Sequence, residues 1–85
     1  MTSVIQQAAA RCALPPAAAR RTTRTSAGVS QRALAAAVGV SPAAVGSWES
    51  GRSNPRGERL VRYVTVLADL AEVVDAMRTG SEQEQ

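Results

Sequence analysis

The sequence predicts an all-α fold, a small helical bundle of about five helices, and three observations point to it. Apolar residues recur at steps of three and four wherever they cluster. Glycine and proline fall between those clusters, where helices start and stop. No segment is rich in alternating β-branched and aromatic residues, the signature of strands. With 85 residues the chain makes one domain with a modest core, so helix packing or self-association must supply much of its stability.

The first element is an accessory helix within residues 1–14. Ser3 and Gln6 have capping-box spacing, and Val4, Ile5, Ala8, Ala9 and Cys12 follow with helical period. Cys12 is the only cysteine, so it reads as a small buried hydrophobe, with no intramolecular disulfide available. Pro15 and Pro16 end this helix, and Pro16 suits the first turn of a second one through Ala17 to Ser26, closed by Gly28.

Ser30 then caps a short helix, Gln31 to Val38, whose Leu34, Ala35 and Val38 face one way. Gly39 stands where a left-handed residue ends a helix. After Val40, Ser41 caps again and Pro42 opens a helix that runs through Val45 and Trp48 to about Ser50. Gly51 to Asn54 is a turn-rich loop, and Asn54 with Pro55 reads as a cap and first turn. From Glu58 to Arg78 there is neither glycine nor proline, which allows one helix or two. Leu60, Val64, Leu67, Ala71 and Val74 form its stripe, widened by Val61, Val66, Leu70, Val73 and Met77. Residues 80–85 are polar and are expected to form a flexible tail.

All ten basic residues are arginine, there is no histidine, and the net charge is +3. The charge is uneven. Residues 1–62 hold nine arginines against Glu49 and Glu58, a net of +7, whereas residues 63–85 hold Arg78 against five acids, a net of −4. A polyanion is the natural partner of the basic part. An enzyme is disfavoured, because the chain offers no histidine, no paired catalytic carboxylates, no phosphate-binding loop and no metal-ligand cluster. Asp69, Glu72 and Asp75 read as a solvated helix face, and no cofactor or metal is expected. No stretch approaches the roughly 20 apolar residues of a membrane span, so a cytoplasmic location is expected, with no membrane partner.

Two short helices meeting across three residues form a helix-turn-helix only if particular residue types fall in place. A small residue is needed where the helices approach, and Ala35 fills that position. The turn needs a positive φ, which Gly39 supplies. Leu34, Val38, Val40, Val45 and Trp48 pin the pair to the domain, leaving Ser41, Pro42, Ala43, Gly46 and Ser47 outward. The segment VSQRALAAAVGVSPAAVGSWESGRSNP, Val29 to Pro55, resembles the phage-repressor, Cro-like and Xre-like regulators in its "SQ", "LA", "VGVS", "V..WE.G" and final proline. The resemblance extends from about Ala17 to Leu70. It implies a λ-repressor-like bundle, with an extra N-terminal helix and a long C-terminal one added here, and a DNA-binding domain over residues 15–70.

Position by position, the resemblance implies that Gln31 touches a phosphate and braces the reading helix. It places Ser41, Pro42, Ala43 and Ser47 toward the bases and makes Arg24 and Glu49 a structural ion pair; apart from the resemblance, Arg32 is expected to share with Ser41 and Ser47 in discriminating the site. Arg52, Asn54 and Arg56 match the loop that grips the sugar-phosphate backbone. Arg20 departs from the family, which usually has an apolar residue there. The base-facing row is also poor in hydrogen-bonding groups, since Pro42 and Ala43 offer only apolar contact to a thymine methyl.

The functional expectation is a sequence-specific regulator of double-stranded DNA, a bacterial or phage repressor or Cro-like switch. Leu70, together with Val73, Val74 and Met77 of an extension over residues 71–79, is the expected homodimer surface. The alternative is an antitoxin that uses the same head and binds a toxin through its apolar helix ends.

Overall fold

The computed structural model describes residues 3–83, with side chains described through residue 79. Five helices follow one another: α1 (Val4–Ala13), α2 (Ala17–Ser26), α3 (Gln31–Val38), α4 (Pro42–Glu49) and α5 (Gly57–Gln83). No strand forms among the described residues.

Local chemistry sets the boundaries. Ser3 accepts from the Gln6 amide at 3.0 Å while the Gln6 side chain accepts from the Ser3 amide at 3.1 Å, a complete capping box. Pro16 takes the N-cap position of α2 rather than a place inside its first turn. Ser30 and Ser41 cap α3 and α4 by accepting from the amides of Ala33 and Ala44 at 3.0 and 3.2 Å. Gly39 ends α3 at φ 87°, donating to Ala35 O at 2.8 Å, and Val40 donates to the same carbonyl at 3.0 Å. Those bonds close the turn and aim α4 across α3.

α5 is one continuous helix, and α1, α2 and α3 all pack on it, while α4 packs on α3 and α2. Its 27 residues span roughly 40 Å at about 1.5 Å each, close to the 45 Å length of the whole molecule. The core joins Leu34, Ala35 and Val38 of α3 to Val45 and Trp48 of α4 and to Tyr63 and Leu67 of α5. Burying each large apolar side chain contributes about 1.5–3 kcal/mol, so this cluster is what clamps the α3–α4 pair. Tyr63 is fully buried, its ring centroid 4.8 Å from that of Trp48 with the planes tilted by 47°.

Four expectations need correction. α1 packs through Gln7, Ala10 and Leu14, so the stripe of Val4, Ile5, Ala8, Ala9 and Cys12 faces outward, with Val4 and Ile5 82% and 81% exposed. Cys12 is exposed with them and is no core residue. Asn54 and Pro55 do not start the last helix; it begins at Gly57, whose φ of 59° turns the chain into it, and Pro55 is buried in the loop. Residues 80–83, expected as part of a flexible tail, continue α5 instead; residues 84 and 85 lie outside the described residues.

Candidate nucleic-acid interface

The end of α4 is held by charge. Arg24 of α2 and Glu49 of α4 form a two-pronged ion pair, Nε to Oε2 at 2.5 Å and Nη2 to Oε1 at 2.9 Å, with side chains only 10% and 3% exposed. Arg24 also donates to Val29 O at 2.9 Å, just ahead of the Ser30 cap. Gln31 completes the cluster, its amide nitrogen donating to Glu49 Oε1 at 3.2 Å. The residue before the Ser30 cap, the first residue of α3 and the last of α4 are thereby tied, directly or through Glu49, to α2. Burial alone would raise the Glu49 carboxyl, but the bonds from Arg24 and Gln31, with the Arg24 charge, outweigh it and hold the group below its ordinary value. The same pairing raises the Arg24 guanidinium.

Gly46 of α4 faces this arrangement, and a Cβ there would meet the Gln31 amide at 3.6 Å, an ordinary van der Waals contact. Gln31 thus braces α4 directly, and the second hydrogen on its amide nitrogen stays available to a ligand.

A second buried arginine governs the loop after α4. Arg20 is only 7% exposed and has no carboxylate partner among the described residues; its Nε donates to Pro15 O at 2.7 Å and its Nη1 to Trp48 O at 2.9 Å and Asn54 Oδ1 at 3.2 Å. One guanidinium thus joins the α1–α2 connection, the last turn of α4 and the 50–56 loop. Because arginine only donates, Asn54 must turn its oxygen inward, which leaves its amide NH₂ facing outward as a donor. The sequence marked Arg20 only as a departure, and this contact is its physical reason.

The outward row divides. Ser41, Pro42 and Ala43 are exposed at the N-terminus of α4, whereas Gly46 and Ser47 are half-buried. The Ser47 hydroxyl lies 2.7 Å from that of Ser53, a partner brought to it by the fold of the loop after α4. Ser41 uses its oxygen as a cap and keeps its hydroxyl hydrogen. Arg32, Arg52 and Arg56 are exposed, as is Asn54. Ser41 and Ala44 of α4 share a groove with Asn54, Arg56 and Arg59. Among the described residues, none of Arg32, Arg52, Arg56 and Arg59 pairs with a carboxylate; the exposed pairs are Arg62 with Glu58 and Arg78 with Asp75, each at 3.2 Å.

Two capped short helices, a left-handed glycine between them and a cationic rim beside the second one's N-terminus together form a recognisable unit. The family model described as helix-turn-helix, the Xre, Cro and λ-repressor-like kind, matches residues 21–73, more than half of the chain. The chain belongs to the helix-turn-helix family. Its motif is α3 and α4, and the match reaches from the second half of α2 into α5, leaving α1 and Arg20 outside. No curated protein and no solved structure matches the chain. A helix-turn-helix of this family is a DNA-binding unit, and no described helix is long and apolar enough to cross a membrane.

Proposed function

We propose that this protein is a sequence-specific transcriptional repressor that binds an operator in double-stranded DNA as a homodimer. The observation that carries the proposal is the N-terminus of α4, where Ser41, Pro42 and Ala43 are exposed and the capping Ser41 lines a groove with Arg56 and Arg59. Helix dipoles favour anions at such termini, and unpaired guanidinium groups supply the phosphate grip.

In this reading α4 enters the major groove. Ser41 reaches a base edge or a phosphate, Pro42 and Ala43 contact thymine methyl groups, and Ser47 shapes the loop through Ser53 as well as facing the groove. Gln31 and Arg32 touch the strand at the start of α3, while Arg52, Asn54 and Arg56 hold the backbone on the other side of the motif. With so few base-edge donors, DNA deformability shares in the discrimination. Bound across a promoter, the dimer represses by excluding polymerase.

Selection of bound sites from a random DNA pool, with sedimentation of the selected complex, tests this. An inverted repeat with half-sites about one turn apart, roughly 34–36 Å, is the expected result. Sequence-blind binding or none would overturn it. Changing Arg52 or Arg56 to Ala should weaken binding to all sequences about equally and lower the salt slope by about 0.9 for each bound subunit. An unchanged slope removes that arginine from the phosphate surface.

The antitoxin reading has one observation in its favour, the apolar exposure of Val73 and Met77 at the far end of α5. A small protein bound in a one-to-one ratio after purification from the native host, in place of a homodimer, would establish it.

A further inference from the structure

A groove runs between α1 and the loop that follows α4, with Gln7, Arg11 and Leu14 on one wall and Arg52, Asn54 and Arg56 among the residues of the other. Among the described residues three guanidinium groups line it and no carboxylate does. Arg11 is exposed, and among the described residues it has no ion-pair partner. It lies in the last turn of α1, where the helix dipole favours a cation. The dipole does not account for two further arginines converging on the same groove. Like charges so placed repel one another, and a polyanion relieves that repulsion.

The groove is also continuous with the reading surface. Asn54, Pro55 and Arg56 line it on one side and, on the other, line the groove that ends at Ser41 on the N-cap of α4. A cationic track therefore leads from Ser41 past Arg59, Arg56 and Arg52 to Arg11. α1 is a firm base for its last member, being closed by the capping box and seated on α5 through buried Ala10.

We propose that α1, which lies outside the family match, extends the DNA-backbone surface, with Arg11 binding a phosphate beyond those held by Arg52 and Arg56. The occupant of the groove is the sugar-phosphate backbone flanking the half-site. This rests on the DNA-binding reading above, and it assigns the accessory helix a role that the two-helix motif does not contain. Each subunit then covers more backbone than the motif alone reaches, and the added contact is blind to sequence.

The test compares wild type, Arg11→Ala, Arg11→Lys and Arg52→Ala on the selected operator and on unrelated DNA over a range of salt. Arg11→Ala should lower the slope of log affinity against log salt by about 0.9 for each bound subunit, equally on both DNAs. Arg11→Lys should restore it, since a point charge suffices for one phosphate. Replacing single phosphates by neutral methylphosphonates should then find one position whose neutralisation weakens wild type but not Arg11→Ala, lying outside the position lost in Arg52→Ala. Arg11 makes no hydrogen bond with its side chain among the described residues, so the variants should keep the wild-type circular dichroism. An unchanged slope for Arg11→Ala beside a reduced one for Arg52→Ala overturns the role of α1 and leaves the DNA-binding reading standing. Absence of salt-dependent DNA binding in wild type overturns both.

Discussion

Glu49 shows how one buried carboxylate can hold two helices in register. It accepts from Arg24 and Gln31, and these bonds outweigh burial to keep its pKa below the ordinary 4.5. A group whose folded pKa is depressed adds stability above its unfolded pKa and loses it as pH falls through the folded value. Stability should therefore be level above about pH 4.5 and decline below it as Glu49 takes up a proton. Glu49→Gln leaves Arg24 buried without its counter-charge, and breaking such a pair costs about 3–5 kcal/mol. Urea unfolding from pH 7 to 3 should show the variant well below wild type at neutral pH, with the two curves drawing together in acid; parallel curves would mean that the pair carries no charge-dependent stability. Tyr63 is the opposite case. Burial first, and the Glu49 charge next, push its phenol up to about 12, yet its hydroxyl has no partner among the described residues. An unpaired buried hydroxyl costs about 1–3 kcal/mol, so Tyr63→Phe should keep or raise the urea midpoint while the ring stays on Trp48. A loss of more than about 1 kcal/mol would show that the hydroxyl is satisfied in solution.

At the scale of the helix, α3 and α4 depend on the turn between them. Gly39 sits at φ 87°, and a Cβ there would strain the backbone and meet Arg62 Nη1 at 3.3 Å. The arginine tip can swing aside but the left-handed backbone cannot, so Gly39→Ala should cost about 1–2 kcal/mol. Thermal unfolding should show a loss of about 4–8 °C per kcal/mol for a domain of this size, and no loss would mean that the turn relaxes to another conformation. This turn was legible in the sequence because caps, proline at the first helical position and left-handed glycine are local effects. α1 was legible as a helix but not in orientation. In its alanine-rich run Val4, Ile5, Ala8, Ala9 and Cys12 make the more apolar stripe, yet small Ala10 lets the opposite face approach α5. Arg20 was not legible in its role either. An arginine reads as surface until tertiary structure brings Pro15 O, Trp48 O and Asn54 Oδ1 around one guanidinium. The tie between Ser47 and Ser53 spans the end of α4 and the loop, so the pattern of α4 alone did not show it.

Across the whole molecule, charge and apolar surface separate along α5. The groove beside its first turn is lined by arginines, while Asp69, Glu72 and Asp75 lie from its middle onward and every described side chain from Asp75 to Thr79 is exposed. The proposed dimer residues do not act alike there. Leu70 packs against the core and Val74 borders α2 near Thr22 and Ser26, whereas Val73 and Met77 are 47% and 57% exposed. Val74 is thus a poor probe, since a charge there would also disturb the packing on α2. Val73 and Met77 are the informative pair. Joining two copies through them places the contact at the acidic end, away from the arginine track, so two reading helices stay free to meet successive major grooves. Val73→Glu with Met77→Glu should leave the fold intact, because both side chains already face solvent. Sedimentation should then give a monomer, and operator affinity should no longer depend on having two half-sites. If the dimer persists with the fold unchanged, self-association passes instead to the exposed Val4 and Ile5 of α1. That outcome would bring the contact to the helix that carries Arg11, coupling dimerisation to the outermost phosphate.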